Sequence, residues 1–138
     1  MTAIAALTIN DGAATPVAHT FNPVNIDNAG VARWADRIGG IAVGFPVISL
    51  SMRQPTAGSR AWKLVGKVVV PTLEVTSPST GTGIQPAPTK AYDVLASFEM
   101  VLPERSTLQQ RKDGLAFFRN FLANAVITAS VENFESVY

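Results

Sequence analysis

The stretch "ISLSMRQPTAGSRAWKLVGKVVVP", residues 48–71, constrains this chain more than any other, because it sorts at a period of two into unlike faces. One alternate set is Ile48, Leu50 and Met52, then Trp62, Leu64, Val68 and Val70. The other is Ser49, Ser51 and Arg53, then Lys63, Val65 and Lys67. Successive side chains of a strand point to opposite sides of a sheet, so the pattern asks for two strands with one dry and one wet face. An antiparallel sheet sustains that arrangement. Residues 90–101 repeat it, with Tyr92, Val94, Ala96, Phe98 and Met100 set against Asp93, Leu95, Ser97 and Glu99.

Further strands are expected near 4–9, 16–21, 30–37 and 45–54, then over 61–75 and 90–101, with Asp11-Gly12 signalling a hairpin between the first two. Residues 76–90, "TSPSTGTGIQPAPTK", form a Gly/Pro-rich loop too long for a tight turn. After Pro103 the spacing becomes helical: Ser106 or Thr107 is the expected N-cap, Leu108, Leu115, Phe118, Phe121 and Leu122 lie on one stripe, and Asn124 breaks the run before a shorter helix over 126–135. Strands first and helices last make an α+β fold, read as one domain over 1–138: hairpin 1–21, main sheet 30–101 with inter-strand loop 76–90, and helices 105–135.

The two helices carry Leu115, Phe117, Phe118, Phe121, Leu122, Val126 and Ile127, more apolar surface than one thin sheet can hide. The excess suggests a second copy, with helices of one subunit lying across the sheet of the other; the competing reading is a monomer with a fuller intramolecular core.

With 11 basic and 10 acidic residues the chain is no polycation, so affinity for nucleic acid must come from arrangement. Arg33, Arg37, Arg53, Lys63 and Lys67 can form a basic platform for phosphates, with Ser49, Ser51 and Ser97 as hydrogen-bonding groups for bases. The competing reading is ordinary solvated surface, or lysines guarding an edge strand. No cysteine is present, and neither the start "MTAIAALTIND" nor any later run reads as a signal peptide or membrane span, so a cytoplasmic product is expected.

The order of "AGVARW" (29–34), "ISLSMRQ" (48–54), "WKLVGKVVVP" (62–71), "YDVLASFEMVLP" (92–103) and a helical tail ending in "VY" resembles the coat proteins of the single-stranded RNA bacteriophages, the levivirus type. The resemblance covers nearly the whole chain. It implies an N-terminal hairpin, a five-stranded antiparallel sheet and two C-terminal helices interlocked in a homodimer, with the sheet facing the interior of an icosahedral shell that packages viral RNA. A dimer of the family also binds an RNA hairpin and represses translation, and loop 76–90 would surround the symmetry axes of the shell.

Carried over one position at a time, the family's RNA contacts fall on Val31, Ser49, Ser51, Lys63, Val65, Lys67 and Ser97. The resemblance places Ser49 and Ser51 at a pocket for an unpaired adenine, and both lysines at phosphate and base contacts. Leu95 stands where relatives carry a tyrosine that stacks on a loop base, and Ala61 replaces a polar contact. Arg33 and Arg53 join the set from the strand pattern. The expected dimer interface is Leu115, Phe118, Phe121, Leu122, Val126 and Ile127. Assembly makes the virion the expected location, after formation in the bacterial cytoplasm.

Two other functions compete. Catalysis is disfavoured: His19 is the sole histidine, and Glu74, Asp93, Glu99, Glu132 and Glu135 show no spacing for paired acid–base work or for a metal, so no cofactor or metal is expected. A small dimeric RNA-binding regulator without a shell would use the same platform. Against a stacking module, Trp62, Tyr92 and Phe98 fall on the apolar face.

Overall fold

The computed structural model describes residues 2–75, 83 and 86–138. The strands are β1 (Leu7–Asn10), β2 (Ala18–Ile26), β3 (Val31–Ala35), β4 (Val47–Arg53), β5 (Ala61–Leu73) and β6 (Lys90–Pro103), followed by helices α1 (Leu108–Leu122) and α2 (Ala125–Asn133). This is the α+β order, strands first and helices last, that the sequence predicts. The six strands lie in chain order in one sheet, and the pairs from β1 to β5 are antiparallel. Loop 76–90 falls for the most part outside the described residues.

Two compact units are present: the sheet, made of residues 1–54 and 62–101, and a helical unit, made of 55–61 and 102–138. In the sheet unit, β2 runs longer than the 16–21 read from sequence. Its first half pairs with β1 and its second half with β3, and the register shifts between Pro23 and Asn25. Proline cannot donate to a ladder, and the irregularity at that point lets the strand continue past it. One strand therefore belongs to both the hairpin and the main sheet.

The first hairpin is closed through Asp11 rather than by a tight Asp-Gly turn, with its N–H donating to the Val17 carbonyl at 2.9 Å. Asp11 Oδ1 accepts from Ala13 N at 3.1 Å and from Val17 N at 2.9 Å, spanning the loop over 11–17. Asp27 does similar work before β3, accepting from Ala29 N and Val31 N, while Gly30 takes the left-handed conformation the turn requires (φ 75°).

The apolar face of the sheet carries a close approach that only glycine permits. A Cβ on Gly66 would stand 2.1 Å from Cε1 of Phe98, so the Phe98 ring lies flush over the β5 backbone. Gly66→Ala is expected to destabilise the protein by about 1–3 kcal/mol through overpacking. A urea titration would read this as a lowered midpoint, partly recovered when Phe98→Leu is added; an unchanged midpoint would refute the contact. Beside this ring the segment Thr2–Leu7 crosses the same face, anchored by Trp34 Nε1 donating to the Ala5 carbonyl at 2.7 Å, and leaves an apolar cavity of about 460 Å³.

In the helical unit Thr107, one of the two expected caps, begins α1 with a reciprocal box. Its Oγ1 accepts from Gln110 N at 3.2 Å, and Gln110 Oε1 accepts from Thr107 N at 2.9 Å. Asn124 both interrupts the helical run and caps α2, through Oδ1 accepting from Val126 N. Phe134, in the left-handed region, ends it.

Among the described residues the buried apolar set is only Phe21, Trp34 and Ala35. Met52, Val70, Tyr92 and Val94 on the dry face are exposed, as are Leu115, Phe121, Leu122 and Val126, and Phe117 reaches 74%. Phe118 and Ile127 are half-buried. A soluble chain of this hydrophobic content normally buries most such side chains, so the single copy is incomplete as a folding unit.

Candidate nucleic-acid interface

Cross-strand register turns the alternation seen in the sequence into rows. Val31, Ser51 and Val65 stand side by side across β3, β4 and β5. On one side of them lies the row Arg33, Ser49 and Lys67, and on the other Arg53 faces Lys63. Residues directly opposite each other share a face of the sheet, so all of these groups are on the wet side. Lys63 Nζ meets Glu99 Oε2 of β6 at 2.7 Å, which brings Glu99 onto the same face; Ser97 and Leu95 follow at the period of two. The result is a hydroxyl and apolar centre strip flanked by two cationic rows.

The cations are not equivalent. Arg33 is engaged by Asp27 (Nη2 to Oδ2, 3.0 Å) and Lys63 by Glu99, whereas Lys67 and Arg53 have no ion-pair partner among the described residues. Lys67, Arg53, Leu95 and Ser97 are exposed, while Ser49, Ser51, Val31 and Val65 are half-buried in the pleat. The free positive charge of the face therefore sits at Lys67 and Arg53.

Two readings from sequence change here. Arg37 lies beyond the end of β3, outside the ladder, so register gives it no place in the platform. Edge protection does not account for Lys63 and Lys67, because β5 lies between β4 and β6. Glu99 and Asp27 as ion-pair partners of the platform were missed. For Glu99 the signal was its period-two relation to Leu95 and Ser97, but the register against Lys63 is not written in either strand alone.

No group of three or more His, Asp or Glu side chains is arranged to hold a metal among the described residues. Among the described residues no single helix is long and apolar enough to cross a membrane.

The sequence model of the levivirus coat protein family matches residues 2–138. The chain belongs to that family. It is a structural capsid protein, a component of the virion, and not an enzyme. The coat protein is similar to the virus-like particle protein of bacteriophage ESE058, at 32% identity with a TM-score of 0.91, covering 99% of this chain and 100% of that one. It is also similar to that of bacteriophage NT-214, at 26% identity and a TM-score of 0.86, covering 99% and 100%. An unassembled bacteriophage coat protein dimer, described as an RNA-binding dimer, shares the fold at 18% identity and a TM-score of 0.61, covering 97% of each chain. Among curated protein sequences none matches this coat protein.

Proposed function

We propose that this coat protein dimerises through its helices, closes into an icosahedral shell, and packages single-stranded RNA against the wet face of β3–β6. One observation carries the reading: among the described residues a single chain leaves Met52, Val70, Tyr92 and Val94 of the dry face and Leu115, Phe117, Phe121, Leu122 and Val126 of α1 and α2 exposed, and its buried apolar set is Phe21, Trp34 and Ala35. Covering those surfaces with a second copy is the thermodynamic drive for assembly, at about 25 cal/mol per Å² of apolar area removed from water. The interface consists of Leu115, Phe118, Phe121, Leu122, Val126 and Ile127, with Phe117 added by its exposure.

On the RNA side, Lys67 and Arg53 offset phosphate charge, Lys63 and Arg33 do so when their carboxylate partners give way, and Ser49, Ser51 and Ser97 offer hydrogen bonds to bases. Val31, Val65 and Leu95 supply apolar contact. An aromatic ring stacked on a base is worth about 1–3 kcal/mol, and Leu95 lacks it, so packaging outweighs tight recognition of one hairpin, with translational repression as the weaker activity. Assembly takes place in the host cytoplasm, a reading supported by the absence of cysteine.

The test is size-exclusion chromatography with light scattering on protein expressed in bacteria, with the 260/280 nm absorbance ratio and negative-stain images of the leading peak. Megadalton spheres that contain RNA are expected. A clean dimer that binds RNA without assembling would replace the shell with a regulator.

A further inference from the structure

The backbone ladder between β2 and β3 stops at Asn22↔Ala35. Just past that point a side-chain tie takes over: His19 Nδ1 of β2 lies 2.7 Å from Oδ2 of Asp36, the residue that follows β3. The other ring nitrogen, Nε2, lies 3.3 Å from Oδ2 of Asp11 in the hairpin loop. Asp11 is already occupied through Oδ1 in closing that loop, and Asp36 is buried and anchored by its own N–H to the Pro46 carbonyl. One imidazole thus joins the hairpin loop, β2 and the end of β3.

We propose that His19 is a protonation-operated pin that ties the hairpin loop, β2 and the end of β3 together, locked when the ring is cationic and loosened at the hairpin loop when it is neutral. An imidazolium donates from both nitrogens and so satisfies both carboxylates at once. A neutral ring has one N–H. It can keep Asp36 or Asp11, and its remaining lone pair then faces a carboxylate oxygen. Asp36 is the more costly of the two to abandon, because a buried carboxylate without a donor carries a desolvation penalty. Release therefore begins at Asp11 and frees the hairpin loop first.

The charged groups that face the ring are Asp36 from the end of β3 and Asp11 from the loop; its cross-strand neighbour on β1 is Ile9, which is uncharged. The bond to Asp36, followed by that to Asp11, raises the His19 pKa above its ordinary 6.5. The Asp11 carboxyl is held below its usual 3.8, chiefly by the backbone N–H groups of Val17 and Ala13 and then by His19. A raised histidine contributes its full stability below pH 6.5 and loses it as pH rises through the higher folded value. The lowered Asp11 works in the opposite sense, contributing above pH 3.8 and losing its share as pH falls through the lower folded value. The pin is closed between these limits and opens on the alkaline side.

Because the chain has one histidine, exchange at its ring C2–H, followed by mass spectrometry on intact protein, reports His19 alone. A midpoint above 6.5 is expected, falling in Asp36→Asn and to a smaller extent in Asp11→Asn. Backbone amide exchange over β1 and the start of β2 should lose protection as pH passes that midpoint, about tenfold for each pH unit by which the midpoint exceeds the unfolded value. In His19→Gln this pH dependence should vanish. A midpoint at or below 6.5, hairpin protection that ignores pH in the native protein, or the same loss in His19→Gln would each overturn the pin. Should the buried Asp36→Asn fail to fold, the exposed Asp11→Asn tests the other arm.

Discussion

Phe121→Asp is expected to abolish dimer and shell together. Phe121 is 57% exposed on α1 in the isolated chain, as Leu115 and Leu122 are also exposed, and the proposed interface would bury all three. Removing the ring forfeits about 1.5–3 kcal/mol of apolar burial, and an unpaired carboxylate inside the interface costs several more. At 1.4 kcal/mol per tenfold, association should weaken by about 10³-fold or more. With Phe21, Trp34 and Ala35 as the buried apolar set among the described residues, the released chain has little to hold it folded, so aggregated or monomeric protein should elute in place of particles. Phe121→Leu, which keeps the apolar character, should still assemble. A Phe121→Asp protein that formed normal dimers in light scattering would sink the helix-mediated interface.

The second large effect concerns RNA, and here ion pairing ranks the lysines. Lys67→Ala removes an exposed cation without an ion-pair partner among the described residues. It should cost about 1.5 kcal/mol of RNA affinity, near tenfold, and lower the slope of log K against log salt by about 0.7. Lys63→Ala should cost less, because Glu99 already holds that ammonium at 2.7 Å. Glu99→Gln should raise affinity by freeing it. The double Lys63→Ala/Lys67→Ala variant should lose most and still dimerise. Filter-binding titrations at several salt concentrations check all four variants; equal losses for the two single lysine variants would refute the ranking, and unchanged affinity in the double variant would remove the platform from β5 altogether.

Much of this was legible in the linear pattern. The faces of β4, β5 and β6 follow from a strict alternation that no other structure tolerates, and the ladder pairs Ser49↔Lys67 and Ile48↔Val68 keep like with like. The ends of α1 and α2 were equally readable, since Thr107 and Asn124 act on N–H groups within three residues of themselves. The full extent of β2 was not. Pro23 and Asn25 read locally as a stop, and only pairing with β3 across the register shift overrides that preference.

Local chemistry, acting over a few residues, thus determined the element types, the two-faced sheet and the surplus of apolar helix surface. What the chain order could not contain was which groups meet across the sheet. That Lys63 is neutralised by Glu99 while Lys67 is not, that Phe98 requires a glycine at position 66, and that His19 stands between Asp11 and Asp36 all depend on strand register and on where strands end. These contacts join residues 8 to 36 positions apart, and the free energy that selects them is collected only once the whole sheet has formed.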